Sequence, residues 1–272
     1  MRRLLIAALM TGVAHSALAA DMPFLRGGFS EGVVGPAVVD WQGVYIGGQA
    51  GTGRSDMNFT GTTRPMVEKL LANTTIEKEM KVSDWPLMGK ESSRGNGVGG
   101  FIGYNAQWED VVVGVELSYM NGKFGGSAVD SMGRSFTTSD GYTNNVTSEA
   151  LAEMKITDIG TLRLRAGYAY GNFLPYIFGG VALGQANITR AARIHGVSVN
   201  ASAPPGFQNI PFDVSEVDRK NAHLLYGYAA GLGVDISLYA GLFMRAEWEY
   251  IRFTSVIDTN VNTVRAGLGY KF

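Results

Sequence analysis

At 272 residues the chain is long enough for one or two ordinary domains. Its 23 Lys and Arg against 24 Asp and Glu leave a net charge of −1, so bulk charge offers nothing to nucleic acid or another polyanion. There is no cysteine and hence no disulfide framework, and 37 glycines scattered without a period of three exclude collagen and favour glycine-tolerant β-structure.

The N-terminus addresses the chain. Arg2 and Arg3 precede an apolar run from Leu4 to Met10, and Ala17-Leu18-Ala19 has the small-residue spacing of a cleavage site. Residues 1–19 are expected to be an export signal, cut after Ala19 or one residue on. Residues 20–40 carry Gly and Pro without a period and read as a flexible linker. Beyond the signal no apolar run reaches the roughly 18 residues that a spanning helix needs.

From residue 41 onward the apolar period is 2, the period of strands. In Trp41–Gly53, Val44, Ile46 and Ala50 alternate with Tyr45, Gly47 and Gln49. In Gly97–Trp108, Val98, Ile102, Tyr104 and Trp108 alternate with Phe101, Gly103 and Asn105. Glu109-Asp110 then turns the chain into Val111–Tyr119, where Glu116 and Ser118 oppose Val115 and Leu117. Residues 155–170 set Leu162, Leu164 and Ala166 against Arg163 and Arg165. Leu174–Ala186 puts Ile177, Val181 and Leu183 on its oily face. Leu224–Ile236 sets Tyr228, Leu232 and Val234 against Gly231, Gly233 and Asp235. In Leu242–Phe253, Met244, Ala246 and Trp248 oppose Arg245, Glu247 and Glu249, and the closing stretch sets Val264, Leu268, Tyr270 and Phe272 against Arg265, Gly267 and Lys271.

A half-buried soluble sheet would alternate as well. Two features point instead to a membrane. The connections after the first, third and fifth strands are long, whereas those after the second, fourth and sixth are tight; this is the rhythm of a transmembrane barrel with loops outside and turns on the periplasmic side. The aromatics Trp41, Trp108, Tyr119, Tyr168, Trp248, Tyr250, Tyr270 and Phe272 fall near strand ends, where interfacial girdles lie. The expected fold is all-β: an antiparallel, eight-stranded, up-and-down transmembrane barrel over residues 41–272, with long extracellular loops.

The charges fix its sidedness. An Arg or Lys facing mid-bilayer lipid costs about 2–4 kcal/mol, so the charged register must face the lumen. Eight strands enclose an interior that side chains can fill. Arg163, Arg165, Arg245 and Arg265 can fork onto Glu116, Asp235, Glu247 and Glu249 in a lumen ion network that would plug the barrel. The alternative is a narrow polar pore, a porin for small solutes.

In order along the chain, "WQGVYIGGQAG" (Trp41–Gly51), "GFIGYNAQWEDVVVGVELSY" (Gly100–Tyr119) and "LRLRAGYAYGNFLPYIFGGVALG" (Leu162–Gly184) resemble the strands of small opacity-type, porin-like outer-membrane barrel proteins of α-proteobacteria. The resemblance covers the strands, somewhat under half the chain, and not the long loops. It implies an outer-membrane surface antigen, located in the cell outer membrane and in contact with its lipid. The ending "RAGLGYKF" is similar to the assembly signal of such proteins, which implies that the barrel-assembly machinery reads Arg265, Gly267, Tyr270 and Phe272. Two departures stand out: a long first loop, and Phe178 where a small polar residue would be usual.

Other chemistry is weaker. His223 and Ser118 share the lumen register near the outer rim, but no third partner is spaced for catalysis, so no enzyme, catalytic residue or cofactor is expected. His195, in the third loop, could serve haemin or another host ligand with a loop tyrosine; no metal site is expected. Arg64–Lys81 has helical spacing after Pro65 and is expected to be a short helix in the first loop, self-packed, capping the mouth, or meeting a host surface.

Overall fold

The computed structural model describes residues 39–255 and 257–272. The expected signal (1–19) and nearly all of the linker (20–40) lie outside the described residues. The strands are β1 (Gly43–Asn58), β2 (Lys90–Trp108), β3 (Val111–Thr137), β4 (Thr143–Tyr168), β5 (Phe173–Val199), β6 (Asn209–Tyr239), β7 (Leu242–Thr254) and β8 (Asp258–Lys271). Each pairs antiparallel with its sequence neighbours. The ring closes where β8 meets β1, from Tyr45 opposite Lys271 to Asn58 opposite Asp258. The tight turns at one end use left-handed backbone at Glu109, Gly171, Ala240 and Gly241, which matches the twist of the flanking strands.

The wall has one oily side, and it faces outward. Val44, Ile46, Val98, Ile102, Val115, Leu117, Leu162, Ile177, Val181, Leu232 and Leu268 are all exposed there; Leu164 is 68% and Val264 60% exposed. Trp108, Tyr119, Tyr168 and Tyr270 flank this belt on the same outward face, whereas Trp248, expected in the girdle, stands mid-strand within the belt opposite Leu232 and Val264. So large an apolar patch is far beyond what a soluble monomer leaves in water, and its natural solvent is hydrocarbon. Trp41 departs from the expected girdle. Its backbone N–H is tied to Gln107 Oε1 at 2.7 Å, and its ring turns inside to meet Phe243 edge-on at 6.1 Å.

The second and third long connections, β3–β4 and β5–β6, also differ from expectation. They are mostly strand, not loop. β3–β4 and β5–β6 continue until only residues 138–142 and 200–208 are left as tips, so β3 to β6 form a four-stranded flap above the belt. His195 therefore sits in β5 rather than in a loop, with Nε2 3.6 Å from Glu149. The first loop holds not one helix but α1 (Arg64–Leu70), α2 (Thr75–Met80) and a turn at Val82–Asp84. Asn73, in left-handed backbone, breaks the helix, and Thr74 restarts it by accepting the Glu77 backbone N–H at 3.1 Å. Met66, Val67, Leu71, Val82 and Trp85 pack against Val146, Ala192 and Ile194 of β4 and β5, on the flap's inner side.

Candidate functional site

Inside the barrel the side chains lie in layers. The lowest, at the tight-turn end, is aromatic: Trp41, Tyr45, Phe101, Tyr176, Phe178 and Phe243, with Val112 and Leu174. Glycines in the lumen register make room for these rings. A Cβ at Gly269 would collide with the Phe243 ring, and one at Gly233 would run into Tyr176 and the Glu247 stem. The Tyr45 and Phe243 rings meet edge-on at 6.0 Å.

Above this floor sit the ions. Glu116 on β3, Arg163 and Arg165 on β4, Asp235 on β6, Arg245, Glu247 and Glu249 on β7, and Arg265 on β8 all face inward; none is more than 3% exposed. Four guanidinium groups meet four carboxylates, and buried charges persist only when paired in this way. Arg163 is the hub, with Nη2 2.5 Å from Glu116 Oε1 and 2.8 Å from Glu247 Oε1, and Nη1 3.2 Å from Glu249 Oε1. Arg165 reaches Asp235 at 2.7 Å and Glu116 at 3.4 Å. Arg245 bonds Asp235 at 2.8 Å and Glu116 at 2.7 Å. Arg265 donates to Glu249 and, at 3.2 Å, to Thr263.

The two lower layers are joined face to face. Tyr45 donates to Glu116 Oε2 at 2.7 Å, and Tyr176 donates to Glu247 Oε1 at 2.6 Å. The guanidinium carbons of Arg245, Arg165 and Arg163 lie 3.9, 3.8 and 4.1 Å from the ring centres of Phe101, Tyr176 and Phe178. This accounts for Phe178: its ring supports Arg163. Lys271 is not in the ion layer. It lies at the tight-turn rim, with Nζ 2.7 Å from the Asp40 carbonyl.

Sequence reasoning missed what lies above. Met57, Met120, Phe124, Met154, Ile156, Ile159, Ile188, Leu225, Ile251, Phe253 and Val261 fill the outer half of the lumen with a mostly aliphatic apolar layer. The signal was present in β7 and β8, where Ile251, Phe253 and Val261 hold the lumen parity. In β4 it was masked, because the bulge at Thr157 moves the inner face from odd to even residues. The helical first loop then lies over the flap's inner surface. Lys69 reaches Glu216 at 2.5 Å, and Arg190 donates to the Thr62 carbonyl at 2.9 Å.

The other candidates are placed as follows. Ser118 Oγ accepts from Gln49 Nε2 at 2.8 Å, while His223 lies opposite Ala186, so the two are not brought together. Among the described residues no cluster of three metal-ligating side chains forms. Of the C-terminal four, Arg265 and Gly267 face the lumen and Tyr270 faces outward. Phe272 is 73% exposed; its N–H donates to the Val44 carbonyl at 2.9 Å, and its ring meets Tyr270 edge-on at 5.1 Å.

Over residues 5–272 the chain matches the family described as outer membrane protein beta-barrel domain. The 25 kDa outer-membrane immunogenic protein of Brucella ovis is 24% identical over 201 residues, which are 74% of this chain and 70% of that protein. Among solved structures the chain is similar to Ail, the attachment invasion locus protein of Yersinia pestis (13% identity, 85% of this chain and 99% of that one, TM-score 0.37). It is likewise similar to Neisserial surface protein A (10% identity, 84% and 97% covered, TM-score 0.34). With an eight-stranded closed ring, an outward apolar belt and a family match over almost its whole length, the chain belongs to the outer-membrane β-barrel protein family.

Proposed function

We propose that this outer-membrane barrel is a closed, non-conducting, non-enzymatic surface protein: its lumen is a plug, and its work is done by the wall in the membrane and by the flap and first loop outside. The observation that carries this reading is the ion layer, in which eight charged side chains of five strands, none more than 3% exposed, are paired across the interior. A conducting filter needs charges that water and ions can reach. Aliphatic and aromatic layers on either side of these charges leave little for a permeant ion to exchange with. The relative's description as immunogenic fits a protein whose outer parts are met from outside the cell.

We further propose that residues 1–19 direct export and that the barrel-assembly machinery reads Arg265, Gly267, Tyr270 and Phe272. What supports the latter is that β8 bonds both β7 and β1 and so closes the ring last in sequence.

Planar-bilayer recording on the refolded protein tests the closed lumen. Silence, or rare flickers, is expected at voltages where a diffusion porin opens steadily. Steady ohmic openings would replace this reading with the porin.

A further inference from the structure

The outward face carries a second cluster of charge just beyond the apolar belt. Arg54 on β1 and Arg94 on β2 are direct cross-strand partners, both in the outward register. Like charges placed so are repulsive. On β3, the bulge that sets Gly122 and Lys123 against Thr157 brings Lys123 to the same outward surface, and Lys155 of β4 lies beside them. Arg54 is held by Asp56 at 2.9 Å and Lys155 by Glu153 at 2.5 Å. Among the described residues Arg94 and Lys123 have no carboxylate within 4.0 Å. Four cations thus converge on one face with Asp56 and Glu153 among them, while Asp158 beside them is taken up by hydrogen bonds from Tyr119, Asn121 and Thr157.

Arg94, Lys123 and Lys155 border a cleft. Its hollow of about 540 Å³ lies between Arg94, Lys123 and Lys155, with Gly125 and Thr157 in its lining. A second hollow of about 700 Å³ shares Arg94 and Lys123 and runs down to Ala50 and Val98. Val98 belongs to the apolar belt. The combined groove is therefore basic at its outer end and oily at its inner end, on the side of the wall that faces lipid.

We propose that this groove is a binding site for a phosphorylated lipid of the outer leaflet. The phosphate would be held by Arg94 and Lys123, with Lys155 at the rim, and an acyl chain would lie over Val98. Charge-assisted bonds from a guanidinium and an ammonium suit a phosphate. A lipid is favoured over a soluble anion because the groove continues into the hydrocarbon-facing surface, which a free phosphate would not use. The proposal is independent of whether the lumen conducts.

The test is native mass spectrometry of the refolded full chain in non-ionic detergent, with heat-modifiable gel mobility confirming that each variant is folded. The probes are a bis-phosphorylated glucosamine lipid (lipid A), the same lipid after phosphatase treatment, and inorganic phosphate. One retained phosphorylated lipid is expected, with binding weakened on the order of tenfold or more by Arg94→Ser/Lys123→Ser and to a lesser degree by Arg94→Gln or Lys123→Gln alone. Lys78→Ser/Lys81→Ser, which removes the same charge from the first loop, should leave binding unchanged. Equal binding of the dephosphorylated lipid, undiminished binding by the folded double variant, or an equal loss in the loop control would overturn the proposal. Displacement of the lipid by equimolar inorganic phosphate would overturn it too, in favour of a free-anion site.

Discussion

Arg245 on β7 lies 2.7 Å from Glu116 on β3, and in a ring of eight those two strands are diametrically opposed. A single ion pair therefore spans the full width of the barrel. Arg163 on β4 and Glu247 on β7, three strands apart, make a second crossing at 2.8 Å. The wall and its filling are one object: every crossing pair ties together strands that the sheet's own hydrogen bonds never join.

If these pairs brace the barrel, Arg245→Met and Glu116→Gln should each destabilise it by about 3–5 kcal/mol, because each strands a buried partner. The double variant should cost less than the sum, with a coupling of about 1–3 kcal/mol. Urea unfolding in lipid vesicles, followed by tryptophan fluorescence, measures all three. Strict additivity would show that the two side chains do not act on one another.

The fit between glycine and ring makes a separate point. Gly269→Ala should destabilise the barrel by about 1–3 kcal/mol through overpacking against Phe243. In a Phe243→Ala background the same change should cost much less, since the three atoms nearest the new methyl all belong to that ring. An unchanged penalty in that background would mean that the backbone, not the ring, demands glycine.

Outside the membrane, Arg190 joins the flap to the first loop. It donates to Asp218 and to the Thr62 carbonyl, and its hydrogen bond holds the Asp218 carboxyl below the usual range for an aspartate. A depressed carboxyl stabilises the folded state above its unfolded pKa, about 3.9, and that contribution is lost as pH falls through the lower folded value. Amides of residues 62–72 should therefore exchange faster on acidification, after correction for intrinsic rates. Asp218→Asn should show fast exchange already at neutral pH and no acid step.

Phe272→Ser removes the exposed C-terminal ring while leaving its backbone bond to Val44. Slower appearance of the heat-modifiable band in cells, with unaltered stability of the folded fraction, is expected if assembly reads this ring. An unchanged rate would exclude it as a recognition point.

The sidedness of the wall was legible because lipid imposes it. Val44 and Tyr45, Leu164 and Arg165, and Val264 and Arg265 each announce which way they face, and in the structure the first of each pair is exposed and the second buried. Beyond the belt that pressure ends. Water meets the outward face of the flap, so Glu149, Arg193 and Asp213 there look like loop residues although they lie on β4, β5 and β6, Glu149 directly opposite Arg193. Bulges at Thr157 and at Asn187 opposite Asn221-Ala222 then shift parity in mid-strand, hiding strands that run on for many residues. The tyrosines of the ion layer were hidden differently. Tyr45 and Tyr176 have lumen parity, but parity alone does not say that a phenol will reach Glu116 or Glu247.

Which face meets hydrocarbon underlies the plug, the belt and the lipid groove alike, and spin labels read it directly. Nitroxides at Leu164, Val181 and Val264 in the refolded, vesicle-embedded protein should be relaxed strongly by oxygen, which concentrates in lipid, and weakly by a water-soluble nickel chelate. The reverse order at these positions would place the oily register in water and contradict the account.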